Sequence, residues 1–169
     1  ARADNPKAVL EMVRFDARKE IEAVRDFYEA LAVEQDVKVT CEGNASLTGD
    51  PQLFRRAVSN LVANALQHTP AQGSVHIFLR TLDNQAVELS VCDTGSGISP
   101  NDLPSIFDRF YWANRSLSRS PGGSGLGLAI VQSIIRLHGG TVSADSVLGK
   151  GATITLTFPP ETPPRPRTK

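Results

Sequence analysis

Three patterns in the sequence predict an α/β fold: a two-layer sandwich in which three helices cover one face of a mixed sheet and leave the other face open. Several segments alternate apolar and polar residues, as in Val75, Ile77 and Leu79, in Val87, Leu89 and Val91, and in Ile154, Leu156 and Phe158. Such period-two runs bury one face only. Between them lie segments whose apolar residues recur every three or four positions, the spacing of helices with one buried stripe. A doubly wound sheet would need strands apolar on both faces, and these are not. The chain has 169 residues, 40% of them hydrophobic, enough for one domain with its own core.

The elements follow in order. Residues 1–8 are small and polar and read as the end of a preceding helix or a linker, ahead of a main domain over 9–158. Residues 9–15 form a short strand-like run, followed by a helix carrying Ile21, Val24, Phe27, Tyr28 and Leu31 on its apolar side. Residues 37–41 and 45–48 read as short strands. Asp50 and Pro51 supply an N-cap and a first-turn proline to a helix that ends at Thr69 and Pro70. Two strands then flank an Asp83-Asn84-Gln85 turn. Residues 101–110 read as a short helical piece, and 111–123, rich in Ser, Arg and Gly, as a long loop. A second apolar helix over 124–138 stops at Gly139 and Gly140. Strands over 141–144 and 153–158 complete the sheet, and 159–169, with five prolines, reads as a solvated linker or a disordered tail.

The bulk composition excludes several classes. Lys plus Arg equals Asp plus Glu at 18 each, so overall charge draws the chain to neither nucleic acid nor an anionic membrane. Cys41 and Cys92 lack metal-ligand spacing and read as reduced thiols, with Cys92 packed inside an apolar run. No apolar stretch approaches the roughly 20 residues of a membrane helix.

Three groups of residues carry chemistry. On the helix after Asp50, Asn60, Asn64 and His68 lie one turn apart beside the stripe of Phe54, Val58, Leu61 and Ala65. A single asparagine there could simply bond water or a neighbouring loop, but mid-helix asparagines have poor propensity and a buried unpaired amide costs on the order of 2 kcal/mol, so something polar belongs against that line. Asp93-Thr94-Gly95-Ser96-Gly97-Ile98 leaves a strand end, where a fixed carboxylate can accept from an exocyclic amine while the glycines permit close approach. An ordinary strand-ending turn would look the same. Gly122 to Leu128 opens a helix with glycines whose free N–H groups suit an anion. It lacks the third glycine and preceding buried strand of a dinucleotide fold and the Gly-Lys-Ser/Thr of a P-loop. The protein-kinase motifs are missing as well.

In this order, Asn60-x-x-x-Asn64, Asp93-x-Gly95-x-Gly97, Phe107-Asp-Arg-Phe110 and Gly123-Ser-Gly125-Leu-Gly127-Leu resemble the four sequence boxes of sensor histidine kinase catalytic domains. The match runs from about Val9 to Phe158, and the phrase from Leu53 to Pro70 is most similar to the heavy-metal (copper or silver) sensor branch. The resemblance implies the Bergerat-type ATP fold, with ATP and Mg²⁺ as cofactors. It implies that Asn64 sits on the metal, Asn60 lies near the phosphates, Asp93 bonds the adenine amino group and Gly95 and Gly97 shape the pocket. Gly125, Leu126, Gly127 and Leu128 would present backbone N–H groups to the phosphates, with His68, Ile98, Tyr111, Gly123, Ser124 and Thr153 also in the site. Tyr111-Trp112 stands where the family often has Tyr-Arg, leaving Arg115 or Arg119 to reach the γ-phosphate. His68 faces either ribose and phosphates or the helix end. The late glycine box, Gly149-Lys150-Gly151, has Ala152 where a hydroxyl is usual and reads as structural.

The implied activity is delivery of the γ-phosphate of ATP to a histidine on a separate dimerisation domain of the same protein. That protein would be a homodimer in the bacterial inner membrane, working with a cognate response regulator, with this region as its cytoplasmic catalytic domain, monomeric in isolation. The family's acceptor is a histidine followed by an acidic residue, a context that His68, His76 and His138 all lack. The rival is an ATP-hydrolysing module of the gyrase, Hsp90 or mismatch-repair type. Those enzymes are expected to carry a glutamate four residues before the magnesium asparagine, and here that position is Asn60, whose amide cannot take a proton.

Overall fold

A computed structural model describes residues 10–108 and 127–161. The described residues form a mixed five-stranded sheet with three α-helices packed on one face, and a separate two-stranded ribbon. The ribbon pairs β1 (Val13–Asp16) with β3 (Ser46–Gly49), antiparallel. The main sheet runs β2 (Lys38–Glu42), β4 (Ser74–Thr81), β5 (Val87–Asp93), β7 (Gly151–Phe158) and β6 (Thr141–Val147). Among the described residues its one parallel pair is β2 with β4, and the other neighbours are antiparallel.

Helix α1 (Ala17–Glu34) begins where the Asp16 carboxylate accepts the Arg18 N–H, and α2 (Pro51–His68) where Asp50 accepts the N–H groups of Gln52 and Leu53. Pro51 costs nothing at the first helical position, because its missing N–H would have had no intrahelical partner. Helix α3 (Gly127–Leu137) is closed by Gly139, whose φ of 72° places it in the left-handed region, and by the Gly140 N–H donating to the Ile135 carbonyl.

The core is where the alternation places it. Val75, Ile77, Leu79, Leu89, Val91 and Leu156 point from the sheet into the stripes of the helices, represented by Ile21, Phe54, Val58, Leu61, Ile134 and Ile135. Phe54, fully buried, links the two sheets: its ring lies 5.3 Å from that of Phe15 in the ribbon and 5.6 Å from that of Phe158 in β7.

Three local expectations need correction. Phe27 does not join the buried stripe of α1; it is 78% exposed, with its ring edge-on to Tyr28, while Ala17, Ile21, Val24 and Ala32 do the packing. Among the described residues the helical piece expected over 101–110 is reduced to a 3-10 turn at Leu103–Ser105, with Pro104 in its first turn. Cys92 is exposed on the open face of the sheet: in β5 it alternates with the buried Val91, so period two overrides the apolar run in which it sits.

Candidate functional site

Two elements carry the polar residues singled out from the sequence, and the contact between them brings His68 and Asp93 together. Helix α2 carries Asn60, Asn64 and His68, all partly buried, along the edge of its packed face. The Asn60 Nδ2 is buried with no hydrogen-bond partner, an uncompensated donor of the kind that ligand sites retain. At the other end, β5 delivers Asp93, 8% exposed, into the space beside the C-terminus of α2.

Both bonds to the Asp93 side chain fall on one oxygen. The N–H groups of Gly95, at 2.8 Å, and of Ala152, at 3.3 Å, donate to Oδ1. This fixes the carboxylate rotamer and leaves Oδ2 as the acceptor available to a ligand. The glycines that follow make room for protein backbone. A Cβ on Gly95 would come within 2.3 Å of the His68 carbonyl oxygen, so the loop rests against the last turn of α2. Gly97, with φ of 75°, would clash at 2.4 Å with the Val147 carbonyl oxygen. Sequence reasoning assigned these glycines to ligand approach; the close contacts they permit are to α2 and to the β6–β7 hairpin.

The electrostatics follow from burial. Desolvation raises the Asp93 pKa, opposed by the N–H groups of Gly95 and Ala152 and by the nearby His68. Desolvation lowers that of His68, with Asp93 pulling the other way. The pair therefore sits as a carboxylate reluctant to ionise beside an imidazole reluctant to protonate.

The first described turn of α3 begins at Gly127, where a Cβ would meet no described residue within 4 Å; Leu128 packs against the core. Phe110, Tyr111, Arg115, Arg119, Gly123, Ser124, Gly125 and Leu126 lie outside the described residues. Thr153 is not brought to Asp93: it pairs with the exposed Cys92 and alternates away from Ala152 and Ile154, which face the helices. Sequence reasoning missed Ala152, whose contribution is its backbone N–H, and Ser146, whose hydroxyl accepts the Ile98 N–H at 2.6 Å. No side-chain motif marks a backbone donor, and a serine in an edge strand is unremarked in any one sequence.

Known proteins resemble this chain in sequence and in fold. Residues 49–162 match the family described as "Histidine kinase-, DNA gyrase B-, and HSP90-like ATPase". The chain is 39% identical to the sensor histidine kinase CusS of Escherichia coli strain K12 over 94% of its own length and 33% of that protein's. It thus spans about a third of the curated relatives it matches. Among solved structures it superposes on the mycobacterial sensor histidine kinase MprB with a TM-score of 0.74 at 30% identity, covering 88% of this chain and 97% of that one. Full-length ShkA in complex with AMPPNP gives a TM-score of 0.82 at 27% identity, covering 94% and 33%. The chain belongs to the histidine kinase-, DNA gyrase B- and HSP90-like ATPase family, as an ATP-binding catalytic domain of the sensor histidine kinase type.

Proposed function

We propose that this domain binds ATP with magnesium and presents the γ-phosphate to a histidine on the dimerisation domain of its parent protein. The observation that carries the reading is the Asp93 carboxylate, held by two backbone N–H groups on Oδ1 with Oδ2 left to accept the adenine amine. Asn64 lies one helical turn before His68, and the adenine end lies at Asp93; phosphates laid along α2 from there reach Asn64 and then Asn60, whose buried unpaired donor suits a phosphate oxygen. The N-terminal part of α3 would offer further N–H groups and the positive end of its dipole.

Among the described residues no three His, Cys, Asp or Glu side chains are grouped to hold a metal. The amide oxygen of Asn64 fits magnesium nonetheless, because that ion accepts a single protein oxygen and completes its shell with phosphate oxygens and water. Bound there, it would neutralise phosphate charge.

Asn60 favours transfer over hydrolysis, since no carboxylate occupies its position to activate water. The parent is read as a homodimeric membrane sensor with a cognate response regulator, and the likeness to CusS supports the heavy-metal branch. Among the described residues no helix is long and apolar enough to cross a membrane. The test is calorimetric titration of a non-hydrolysable ATP analogue with and without magnesium. Wild-type chain should bind more tightly with the metal, and Asn64→Ala should lose that gain; full magnesium enhancement in the variant would refute the metal assignment.

A further inference from the structure

The hairpin that carries the glycine box at Gly149 to Gly151 holds the Asp93 loop at three points. Ser146 Oγ accepts the Ile98 N–H at 2.6 Å while donating its own proton to the Gly151 carbonyl at 3.1 Å. The Gly149 N–H donates to the Ser96 carbonyl at 2.7 Å, and the Ala152 N–H donates to Asp93 Oδ1. One hydroxyl thus spans from the far end of the loop, at Ile98, back to the strand residue beside Ala152.

We propose that Ser146 is a positioning residue for adenine recognition, acting through the loop and not on the nucleotide. This rests on the assignment of Asp93 to the adenine amine. A loop whose backbone runs through two glycines has little stiffness of its own. Its shape is set by what grips it, and Ser146 is the one side chain among the described residues that bonds it from the hairpin. The Ile98 N–H is partly buried, so loss of its acceptor leaves a donor that water satisfies only in part and weakens the hold on the loop. With the hairpin detached from Ile98, only the Gly149 N–H on the Ser96 carbonyl and the Ala152 N–H on Asp93 tie it to the loop, and the Asp93 carboxylate is held less firmly in place.

The experiment compares ATP with inorganic tripolyphosphate, which offers phosphates but no base, by titration of the wild-type chain, Ser146→Ala, Ser146→Thr and Asp93→Asn in magnesium. Ser146→Ala should weaken ATP roughly five- to tenfold, the equivalent of one buried hydrogen bond. It should leave tripolyphosphate unchanged, and Ser146→Thr, which keeps the hydroxyl, should restore ATP. Parallel losses for both ligands would show a merely structural serine. Unaltered ATP binding in Ser146→Ala, with loss in Asp93→Asn, would overturn the role of Ser146 while the Asp93 assignment stands. Wild-type ATP binding by Asp93→Asn would overturn the assignment and the proposal together. Amide exchange at Ile98 in the wild-type chain gives a readout independent of any variant: protection is expected, and exchange at the rate of an open loop amide would refute the clasp.

Discussion

The Ala152 N–H and the Asp93 carboxylate meet at 3.3 Å, on the oxygen that also accepts the Gly95 N–H. This makes Asp93→Asn a clean probe. The carbonyl oxygen of an asparagine must stay at the Oδ1 position to keep both donors, which forces its NH₂ to where Oδ2 stood. A donor then faces the adenine amine. ATP affinity should fall by about 30-fold, roughly 2 kcal/mol for a hydrogen bond turned into a donor–donor clash. A purine nucleotide lacking that amine, such as GTP, should lose much less. Equal losses for ATP and GTP, measured by calorimetry, would remove Asp93 from adenine recognition.

The titration behaviour of Asp93 and His68 gives a second prediction. Burial raises the Asp93 pKa above the ordinary 3.8, and the ionised form is the one that accepts from adenine. ATP affinity should therefore be full above the raised pKa and fall as pH drops through it, earlier than for an ordinary carboxylate; in Asp93→Asn this step should be gone. Stability moves the other way for this group. Its folded pKa exceeds its unfolded one, so ionisation costs stability as pH climbs from 3.8 through the raised value. For His68, lowered from 6.5 by burial, the unfolded chain takes the proton first. Its contribution is complete above 6.5 and is lost as pH falls below that value. Thermal melts between pH 7 and pH 5 should show a decline that His68→Gln reduces.

How much of this was legible beforehand varies with the kind of signal. Period-two and period-3.6 patterns placed the described strands and helices, because burial on one face is written into every second or every third and fourth residue. Asp50 and Pro51 marked the start of α2 by capping chemistry alone. Asp93 was legible as a carboxylate on a strand end, but the N–H groups that orient it come from Gly95 and from Ala152, 59 residues away in sequence. Contacts of that kind depend on strand pairing. Parity misled where it was ignored, since Thr153 and Cys92 share the open face while Ala152 and Asp93 share the other.

His138 shows the same limit and yields a stability prediction. It is 8% exposed, and its ring joins the C-terminus of α3 to the N-terminus of α2: Nδ1–H donates to the Ile134 carbonyl at 2.8 Å, which leaves Nε2 to accept the Asp50 N–H at 3.1 Å. The ring also sits edge-on to Phe158, 5.6 Å between centroids. His138→Ala removes the acceptor of a buried N–H and opens a void beside Phe158. Destabilisation of about 2–4 kcal/mol is expected, read from denaturant midpoints. A loss under about 0.5 kcal/mol, the size of an ordinary surface change, would show that the bridge contributes little.

The last prediction is that the isolated chain does not phosphorylate itself. Its three histidines are each followed by a residue without acid function: Thr69 after His68, Ile77 after His76 and Gly139 after His138. Their surroundings agree. His138 has both ring nitrogens committed between Asp50 and Ile134. His76 lies on the open face of the sheet, where Thr40 Oγ1 meets Nδ1 and Glu42 Oε2 meets Nε2 at 3.1 Å, and its Cα partner is the exposed Cys92. That face is opposite the one that buries Asp93, so His76 cannot reach a nucleotide bound there within the same molecule. His68 lies beside Asp93 at the base end of the proposed site, remote from a γ-phosphate extended past Asn64. With γ-labelled ATP and magnesium, acid-labile label should be absent from the chain alone and should appear on an added dimerisation domain carrying a histidine followed by an acidic residue. Acid-labile label on the isolated chain, lost in one of the three His→Gln variants, would place the acceptor within this domain and overturn the division of labour proposed here.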